Sequence, residues 1–479
     1  MHNVETRLWI AGKYAEGHGE KFPLFSPATD EHVADVHSAN KEDVDRAVNA
    51  ALAAQPAWAK ADVKTRQTAL YKLADLVEKH GDKLAQLDAM SMGKPVGVDR
   101  MMLPHIVGAV RNCAGLASSS AVLGETSLLT PGAITCTFRQ PFGVTAGILP
   151  FNVPALMFLQ KAAPAVAAGN AIILKSSEKS PLSAAYLAQL TREAGLPDGI
   201  VQVLSGGGDT GRLLAEHPHI RKISFTGSVA TGKKVAAAAA TSNLKDVSLE
   251  LGGKSPVVIF EDANIEKAAA ACAFSIMFNS GQACIANSRM YIHEAAYDRF
   301  MEQIKASMLH FKHGDPLKDD TSLGPQADKT QGEKVAGYME VGAKEGKVVV
   351  GGKKVGSKGW FFEPTLFVDV AEDARINREE IFGPVGVVHK FSDEKDVLRR
   401  CNDTEYGLYA SVFTQSIDRA MRFAREVEAG TVTINAAAPA VDPHTPFGGM
   451  KQSGMGREQG SQSVARWLEE KTVVIKLDE

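Results

Sequence analysis

The chain has 479 residues, of which 44% are hydrophobic and 23% charged, and its formal net charge is −3 at pH 7. This composition is typical of a globular protein of about two to four domains, and the charge argues against nucleic acid or an anionic membrane as a partner. No run of about 18 apolar residues is present, so we expect no membrane span, and the first residues lack the pattern of a secretory signal. Five cysteines without a CxxC pair predict neither a disulfide framework nor a metal site, and the cytoplasm is the expected compartment.

In chain order, the first clear strands are short runs rich in valine and isoleucine, at 144–150, 171–177, 199–205 and 220–227. Alanine-rich amphipathic stretches separate them and are predicted as helices, at 156–169, 180–195 and 210–219. The second of these helices has Ser180 as its predicted N-cap and Gly195 as its predicted end. Strands that alternate with helices at this spacing predict a parallel sheet with helices on its faces.

The same pattern begins again after residue 252. Strands are predicted at 255–260, 288–293, 347–352 and 383–391, and helices at 268–278 and 296–309. Two successive α/β units predict two domains that meet near Glu250–Lys254. In the segment 125–140, apolar and polar residues alternate as they do in a strand. The tail VARWLEEKTVVIKL also ends in a predicted strand, so we expect these two segments to form a small third element.

Two glycine-rich stretches match nucleotide-binding motifs only in part. GGGDTG, at 206–211, is not followed by the acidic residue that a dinucleotide fingerprint needs about 20 residues later. It is either a tight turn from strand to helix or a loop close to a cofactor. GSVATGKK has Lys234 where a P-loop has Ser or Thr, which argues against a nucleoside triphosphatase. Gly227 and Ser228 still lie at a predicted helix N-terminus, where free N–H groups favour a phosphate.

Four polar side chains lie where the predicted strands and turns would present them to a ligand. Lys175 ends a strand, and with Glu178 it either binds a pair of ribose hydroxyls or forms an ordinary solvated pair. Glu250 lies in an apolar strand, where burial would raise its pKa as a general base requires; the alternative is an edge glutamate facing water. Asn152, between the prolines of PFNVP, is either an oxyanion donor or part of a plain turn.

Cys284, in NSGQACIANSR at 279–289, is the candidate nucleophile among the cysteines. It follows Gly281 at a predicted helix start, where the helix dipole would lower the pKa of the thiol. Cys272 lies in an alanine-rich apolar helix and is predicted to pack in the core. The neighbours of the other three cysteines suggest no role.

Seven motifs occur in one order along the chain: PFNVP, KSSEKSP, FTGSVATG, LELGGKSP, NSGQACIANSR, EEIFGPV and PFGGMKQSGMGRE. In their order and spacing the chain resembles the NAD(P)-dependent aldehyde dehydrogenase superfamily, of the hydrolytic type that does not acylate coenzyme A. The resemblance implies an α/β, aldehyde dehydrogenase-like fold. Its parts would be a Rossmann-like NAD-binding domain (1–122 and 141–251), an α/β catalytic domain (252–452) and a small β oligomerisation element (123–140 and 453–479).

The resemblance also implies the NAD-dependent oxidation of an aldehyde to a carboxylic acid. Cys284 would attack the aldehyde carbon, and Asn152 with the backbone N–H of Cys284 would stabilise the oxyanion of the thiohemiacetal. Loss of a hydride to the nicotinamide would leave a thioester, and Glu250 would activate the water that hydrolyses it. Lys161 and Glu458 would form a proton relay behind Glu250.

For the cofactor, Lys175 and Glu178 match the adenosine-ribose clamp of the family. A carboxylate at 178 should repel a 2′-phosphate, so NAD is expected rather than NADP. The other positions that the resemblance assigns to the cofactor are Gly227 and Ser228 at the pyrophosphate, Glu380 and Phe382 at the nicotinamide ribose, and Ile148, Phe151 and Leu251.

The chain departs from the commonest family pattern around the substrate. The usual Trp-Asn-Phe is here Phe151-Asn152-Val153, and the substrate-tunnel position 160 is Gln160. Phe278 and Phe447 are still expected to wall the site. A tunnel of this kind favours a bulky or aromatic aldehyde.

Two alternatives remain open. The first is a semialdehyde dehydrogenase, either succinate-semialdehyde-like or coenzyme-A-acylating; acylating members typically lack the general-base glutamate, so Glu250 argues against them. The second is a structural, crystallin-like protein without activity, against which the joint presence of Cys284, Glu250 and Asn152 argues. The expected partners are a small-molecule aldehyde and further copies of the chain, in a homodimer or homotetramer.

Overall fold

The structure is a computed structural model and describes residues 4–477. Within this range the strands are β1 (Leu8–Ile10), β2 (Lys13–Ala15), β3 (Gly19–Phe25), β4 (His32–Ser38), β5 (Thr126–Ser127), β6 (Ala133–Pro141), β7 (Val144–Ile148), β8 (Ala171–Lys175), β9 (Val201–Leu204), β10 (Lys222–Thr226), β11 (Asp246–Glu250), β12 (Pro256–Ile259), β13 (Arg289–His293), β14 (Lys347–Val350), β15 (Lys354–Val355), β16 (Phe361–Phe362), β17 (Thr365–Val368), β18 (Val385–Phe391), β19 (Tyr409–Phe413), β20 (Thr431–Ile434), β21 (Gly454–Met455) and β22 (Leu468–Lys476). The α-helices in the same range are α1 (Lys41–Lys60), α2 (Val63–Lys79), α3 (Gly81–Met92), α4 (Val96–Leu116), α5 (Pro154–Ala167), α6 (Leu182–Glu193), α7 (Gly208–Glu216), α8 (Val229–Ser242), α9 (Ile265–Met277), α10 (Tyr297–Met308), α11 (Lys329–Glu345), α12 (Arg375–Arg378), α13 (Glu394–Asn402) and α14 (Ile417–Glu426). Across residues 4–477, no helix has the length and apolar character needed to cross a bilayer.

The first half of the described chain builds a sheet in the order β2-β1-β9-β8-β7-β10-β11-β21. The five central strands, β9, β8, β7, β10 and β11, run parallel to one another, whereas β1 and β21 pair antiparallel with the two ends of this group. β7 and β8 are buried along their whole length, because helices cover both faces of a parallel sheet. The parallel sheet predicted from the valine- and isoleucine-rich runs is therefore confirmed.

The second half builds a sheet in the order β14-β17-β18-β13-β12-β19-β20. Its strands pair in parallel, except that β14 runs antiparallel to β17. The chain leaves the first sheet at Glu250 and enters the second at Pro256, which is where the sequence predicts a junction. The domain bounds themselves stay a prediction.

A third sheet has the order β22-β6-β5. β22 pairs antiparallel with β6 from Leu468 opposite Pro141 to Lys476 opposite Ala133, so the small third element expected from these segments is confirmed. The segment 453–479 is nevertheless divided, because β21 pairs with β11 in the first sheet. That pairing brings the residues that follow β21, including Glu458, close to the end of β11.

The start of α6 differs from the prediction. Pro181, and not Ser180, occupies the N-cap position. The residue before a proline disfavours helical backbone angles, because its backbone would clash with the proline ring. The helix therefore starts after the proline. The Ser180 hydroxyl is buried and has no hydrogen-bond partner in residues 4–477.

Candidate active site

A cavity of about 880 Å³ lies where the parallel strands of the first sheet end, opposite segments of the second half of the chain. Loops that follow parallel strands meet at this edge, which is why open α/β sheets bind ligands there. The predicted site residues on its wall are Ile148, Phe151, Asn152, Lys175, Glu178, Gly227, Ser228, Glu250, Leu251, Cys284, Glu380 and Phe382. The predicted residues that do not line this cavity are Val153, Gln160, Lys161, Phe278, Phe447 and Glu458.

Cys284 does not lie at a helix start, so that prediction is wrong. A single 3₁₀ turn at Phe278–Gly281 precedes it, and residues 282–288 form neither helix nor strand. The predicted decrease of the thiol pKa is wrong as well, since no helix dipole acts on the sulfur. Burial, followed by the charges of Glu380 and Glu250, raises the pKa of Cys284 to about 12. The thiol is therefore protonated at neutral pH in the cofactor-free protein.

Asn152 is buried against the loop that carries Cys284. Its Nδ2 donates a hydrogen bond to the carbonyl oxygen of Gln282 at 2.9 Å, and Asn279 Nδ2 donates to the carbonyl of Asn152 at 2.9 Å. A side-chain amide carries two N–H groups. One of them is fixed by Gln282, which leaves the second for a ligand in the cavity.

Glu250 is the last residue of β11 and only 5% exposed. Neither of its carboxylate oxygens has a hydrogen-bond partner within residues 4–477. Burial and the nearby charge of Glu458 raise the pKa of Glu250 well above its usual value, against the opposing effect of Lys161 and Arg457. The raised pKa expected from the sequence is confirmed, and the alternative of a water-facing glutamate is wrong.

A buried ion pair lies behind Glu250. Lys161 Nζ is 2.7 Å from Glu458 Oε1 and donates to Ser224 Oγ at 2.8 Å. The Ser224 hydroxyl donates to the same Glu458 oxygen at 2.8 Å. Sequence reasoning missed Ser224, because it lies in a strand buried on both faces, where alternation does not single out one polar residue.

The residues predicted for the adenosine side line the same cavity. Lys175 Nζ lies 3.4 Å from Glu178 Oε2, just beyond β8. Burial lowers the pKa of Lys175, and Glu178 opposes that effect. Gly227 and Ser228 precede α8, and Ser228 Oγ accepts a hydrogen bond from the backbone N of Thr231 at 3.3 Å. The predicted helix N-terminus at this position is confirmed.

For the GGGDTG stretch, the turn from strand to helix is confirmed, and closeness to a cofactor stays a prediction. The stretch forms the turn from β9 into α7, which begins at Gly208. Its residues Gly207, Gly208, Asp209 and Gly211 also line the cavity.

Glu380 and Phe382 approach the cavity next to Cys284. The backbone N of Gly253 donates to Glu380 Oε1 at 3.1 Å, and Gly253 packs so closely on Cys284 that a Cβ there would overlap its carbonyl oxygen. Burial raises the pKa of Glu380. Phe382 has a left-handed backbone, with φ of 63°, and its ring meets that of Phe151 edge-on at 5.6 Å between centroids.

Sequence reasoning missed Lys179, Gln331 and Lys334, which also line the cavity. Gln331 Nε2 donates to the carbonyl of Phe382 at 2.9 Å. Burial lowers the pKa of Lys334, and the neighbouring Glu380 opposes this. Gln331 and Lys334 belong to α11, whose polar residues are typical of any surface helix, so the sequence holds no signal that marks them.

Three of the four residues predicted for the substrate are apolar, and none of the four lines this cavity. Val153, Leu156 and Gln160 each keep 8% exposure, and their spacing places them on one face at the start of α5. Phe278 is buried, and Phe447 packs in the same small apolar cluster as Cys284. Gln160 is the polar exception, and within residues 4–477 its buried Nε2 has no hydrogen-bond partner.

The sequence profile of the aldehyde dehydrogenase family matches residues 14–473. The chain belongs to the aldehyde dehydrogenase family. An aldehyde dehydrogenase family 2 member B4, mitochondrial, from Arabidopsis thaliana is 43% identical over 99% of this chain and 88% of the relative. A mitochondrial benzaldehyde dehydrogenase from Antirrhinum majus is 42% identical over 98% of this chain and 89% of the relative.

Solved structures of the family have the same fold. The structure of an aldehyde dehydrogenase from Bacillus cereus in complex with NAD+ superimposes with a TM-score of 0.96 and 39% identity, over 99% of this chain and 97% of that one. The resemblance seen in the motifs and the α/β fold that it implies are therefore confirmed, and the chain is an oxidoreductase of this family.

Proposed function

We propose that this enzyme oxidises an aldehyde to the carboxylic acid with NAD, through a thioester on Cys284. The observation that carries the proposal is that Cys284, Asn152 and Glu250 line one cavity, in which the carboxylate of Glu250 makes no hydrogen bond within residues 4–477. A nucleophile, an amide donor and a base of raised pKa are the groups that acyl chemistry on a thiol requires.

The cavity wall has the chemistry to bind a dinucleotide. The Lys175–Glu178 pair at one end offers a donor and an acceptor to ribose hydroxyls, and the N-terminus of α8 offers backbone N–H groups to a pyrophosphate. Glu380 lies at the other end, beside Cys284. The chemistry that a bound nicotinamide supplies is the acceptance of a hydride.

The residues of the chain perform the remaining steps. The proton of the Cys284 thiol passes out to the bulk solvent and the sulfur bonds to the aldehyde carbon, while Asn152 Nδ2 and the backbone N–H of Cys284 stabilise the oxyanion. After the hydride has left, Glu250 takes a proton from water, whose oxygen adds to the thioester carbon as the carbon–sulfur bond breaks. Lys161 and Glu458 pass that proton onward.

We expect NAD to be preferred over NADP. Glu178 is partly exposed on the cavity wall, and its negative charge would repel a 2′-phosphate on the adenosine ribose. Comparison of kcat/KM for the two cofactors tests this, and a clear preference for NADP would contradict it.

The apolar residues Val153, Phe278 and Phe447 favour a bulky or aromatic aldehyde. The benzaldehyde dehydrogenase among the relatives supports this substrate class. The unpartnered amide of Gln160 favours a substrate with one hydrogen-bonding group away from its carbonyl. Measurement of kcat/KM for aliphatic, aromatic and semialdehyde substrates would rank these classes.

Coenzyme A acylation is the alternative within the family. The position of Glu250 on the cavity wall, with a pKa that burial raises, favours water as the acyl acceptor. Formation of a coenzyme A thioester at the rate of NADH production would refute the hydrolytic proposal.

We also propose a homodimer or homotetramer built on the third sheet. Val474 and Ile475, on β22, are about half exposed, at 57% and 46%, and β22 is the outer strand of that sheet. An exposed apolar strand at a sheet edge favours pairing with another copy.

An absorbance assay for NADH with a panel of aldehydes tests the proposed function. Wild type should turn over at least one aldehyde, and Cys284→Ala should turn over none. Absence of turnover in both proteins would favour a structural role instead.

A further inference from the structure

The loop before Cys284 has an unusual backbone. Asn279, Ser280 and Gly281 are three successive residues in the left-handed region, with φ of 49°, 56° and 76°. Residues other than glycine adopt this conformation unfavourably, and it persists where surrounding contacts impose it. The contacts that hold the loop in this backbone conformation therefore also determine the position of Cys284.

The side chain of Gln282 supplies such contacts. It is buried, and its Nε2 donates to the carbonyl oxygens of Asn279 at 3.1 Å and of Pro325 at 3.3 Å. Its Oε1 accepts from the backbone N of Ala327 at 2.9 Å. One amide thus joins the loop to itself and to a segment more than 40 residues away in the sequence.

Two further side-chain bonds join the same segments. Gln326 Nε2 donates to the carbonyl of Ser280 at 3.0 Å, and Ser280 Oγ donates to the carbonyl of Gly324 at 2.8 Å. Within residues 4–477, no backbone-to-backbone hydrogen bond connects 279–282 with 324–327. Among the described residues, every hydrogen bond between these two segments therefore involves a side chain.

The carbonyl of Gln282 reaches the proposed oxyanion donor. It accepts a hydrogen bond from Asn152 Nδ2 at 2.9 Å and so fixes the orientation of that amide. Cys284 follows two residues later on the same loop. The buried residue Gln282 therefore influences both the position of the nucleophile and the orientation of the oxyanion donor.

We propose that Gln282 is a positioning residue for the reaction. Its side chain fixes the loop, so that the free N–H of Asn152 and the thiol of Cys284 are presented together to the cavity. The inference rests on the proposed function, because it treats Asn152 as the oxyanion donor. Gln282 itself does not line the cavity and is assigned no contact with substrate.

The test compares Gln282→Met with Gln202→Met. Gln202, in β9, is a matched control: it is buried, its Nε2 donates to two carbonyls, those of Ala47 and Gly199, and its Oε1 accepts from Ala11 N. Both variants lose the same kinds of bond, so both should lower the melting temperature. Only Gln282→Met should lower kcat, by about a hundredfold, which is the usual loss when an oxyanion donor is removed.

A second readout is the rate at which iodoacetamide labels each cysteine, measured by peptide mass. Gln282→Met should label faster than wild type at Cys284, although it is the slower catalyst, and Cys272 should stay unlabelled. A kcat equal to that of Gln202→Met, or faster labelling of Cys272 together with Cys284, would overturn the inference.

Two other outcomes are also decisive. If wild type oxidises no aldehyde, the proposed function fails, and the labelling of Cys284 alone decides the role of Gln282: an unchanged rate overturns it. If Gln282→Met does not fold, Ser280→Ala removes a single bond between the segments, and it should lower kcat and speed the labelling of Cys284 in the same directions. Unchanged values in Ser280→Ala would overturn the inference.

Discussion

In the cofactor-free protein, the thiol of Cys284 should react slowly with iodoacetamide. Its pKa is about 12, against a usual value of 9.0, and only the thiolate reacts. Three pKa units lower the thiolate fraction at pH 8 about a thousandfold. A more basic thiolate is a better nucleophile, with a Brønsted coefficient of about 0.4–0.5, which recovers roughly 16- to 32-fold. The net rate should therefore be about 30- to 60-fold below that of an ordinary thiol.

The substitution Glu380→Gln tests whether nearby negative charge contributes to the raised pKa of the Cys284 thiol, because it removes one of the charges that raise that pKa. Cys284 should then label faster at pH 8. Glu178→Gln is the matched control, because Glu178 lines the same cavity but is not among the charges that act on the thiol. The assay is the labelling rate of Cys284 from about pH 7 to 10, read by peptide mass. A midpoint below 9, or equal rates in Glu380→Gln and Glu178→Gln, would refute the reasoning.

Three further predictions concern charge and assembly. The folded-state pKa of Glu250 is raised, so the cost of burying its charge is absent below pH 4.5 and grows as pH rises from there toward the folded value. Glu250→Gln should therefore gain in Tm over wild type as pH rises above 4.5, and a gain that shrinks over that rise would contradict this. Glu178→Gln should raise kcat/KM for NADP relative to NAD by roughly fivefold, the equivalent of about 1 kcal/mol between exposed charges, and an unchanged ratio would argue against the repulsion. Ile475→Asp should reduce the mass seen by light scattering, whereas Leu309→Asp, at another exposed apolar position, should leave it unchanged; equal masses for both variants would count against the third sheet as the interface.

The elements that position the cavity could be predicted from the sequence, because they depend on local patterns. The run AIILK at 171–175 has the length and β-branched content of a buried strand, and it forms β8. Lys175 then lies at a strand end, which is where parallel sheets present ligand-binding residues. The local pattern left two alternatives for Glu250, a buried carboxylate of raised pKa or an edge glutamate facing water, and only the packing of the folded chain decides between them.

The conformation around Cys284 could not be predicted, because contacts distant in sequence determine it. Asn, Ser and Gly tolerate the left-handed region without requiring it, so the sequence was equally consistent with a helix start. The bonds from Gln282 and Gln326 that fix the loop involve residues 324–327, and no local pattern reveals them. β21 is missed for a similar reason: it has two residues, Gly454 and Met455, and its pairing with β11 gives it no hydrophobic pattern.

The claim that Cys284 carries the acyl group is tested most directly by mass spectrometry of Glu250→Gln after mixing with NAD and a good aldehyde substrate. Removal of the general base should slow hydrolysis of the thioester by about 10²- to 10⁴-fold. The account predicts a rapid release of one NADH per active site, and an acyl group on the peptide that contains Cys284. Continued turnover at the wild-type rate, or NADH release without an acyl group on Cys284, would contradict it.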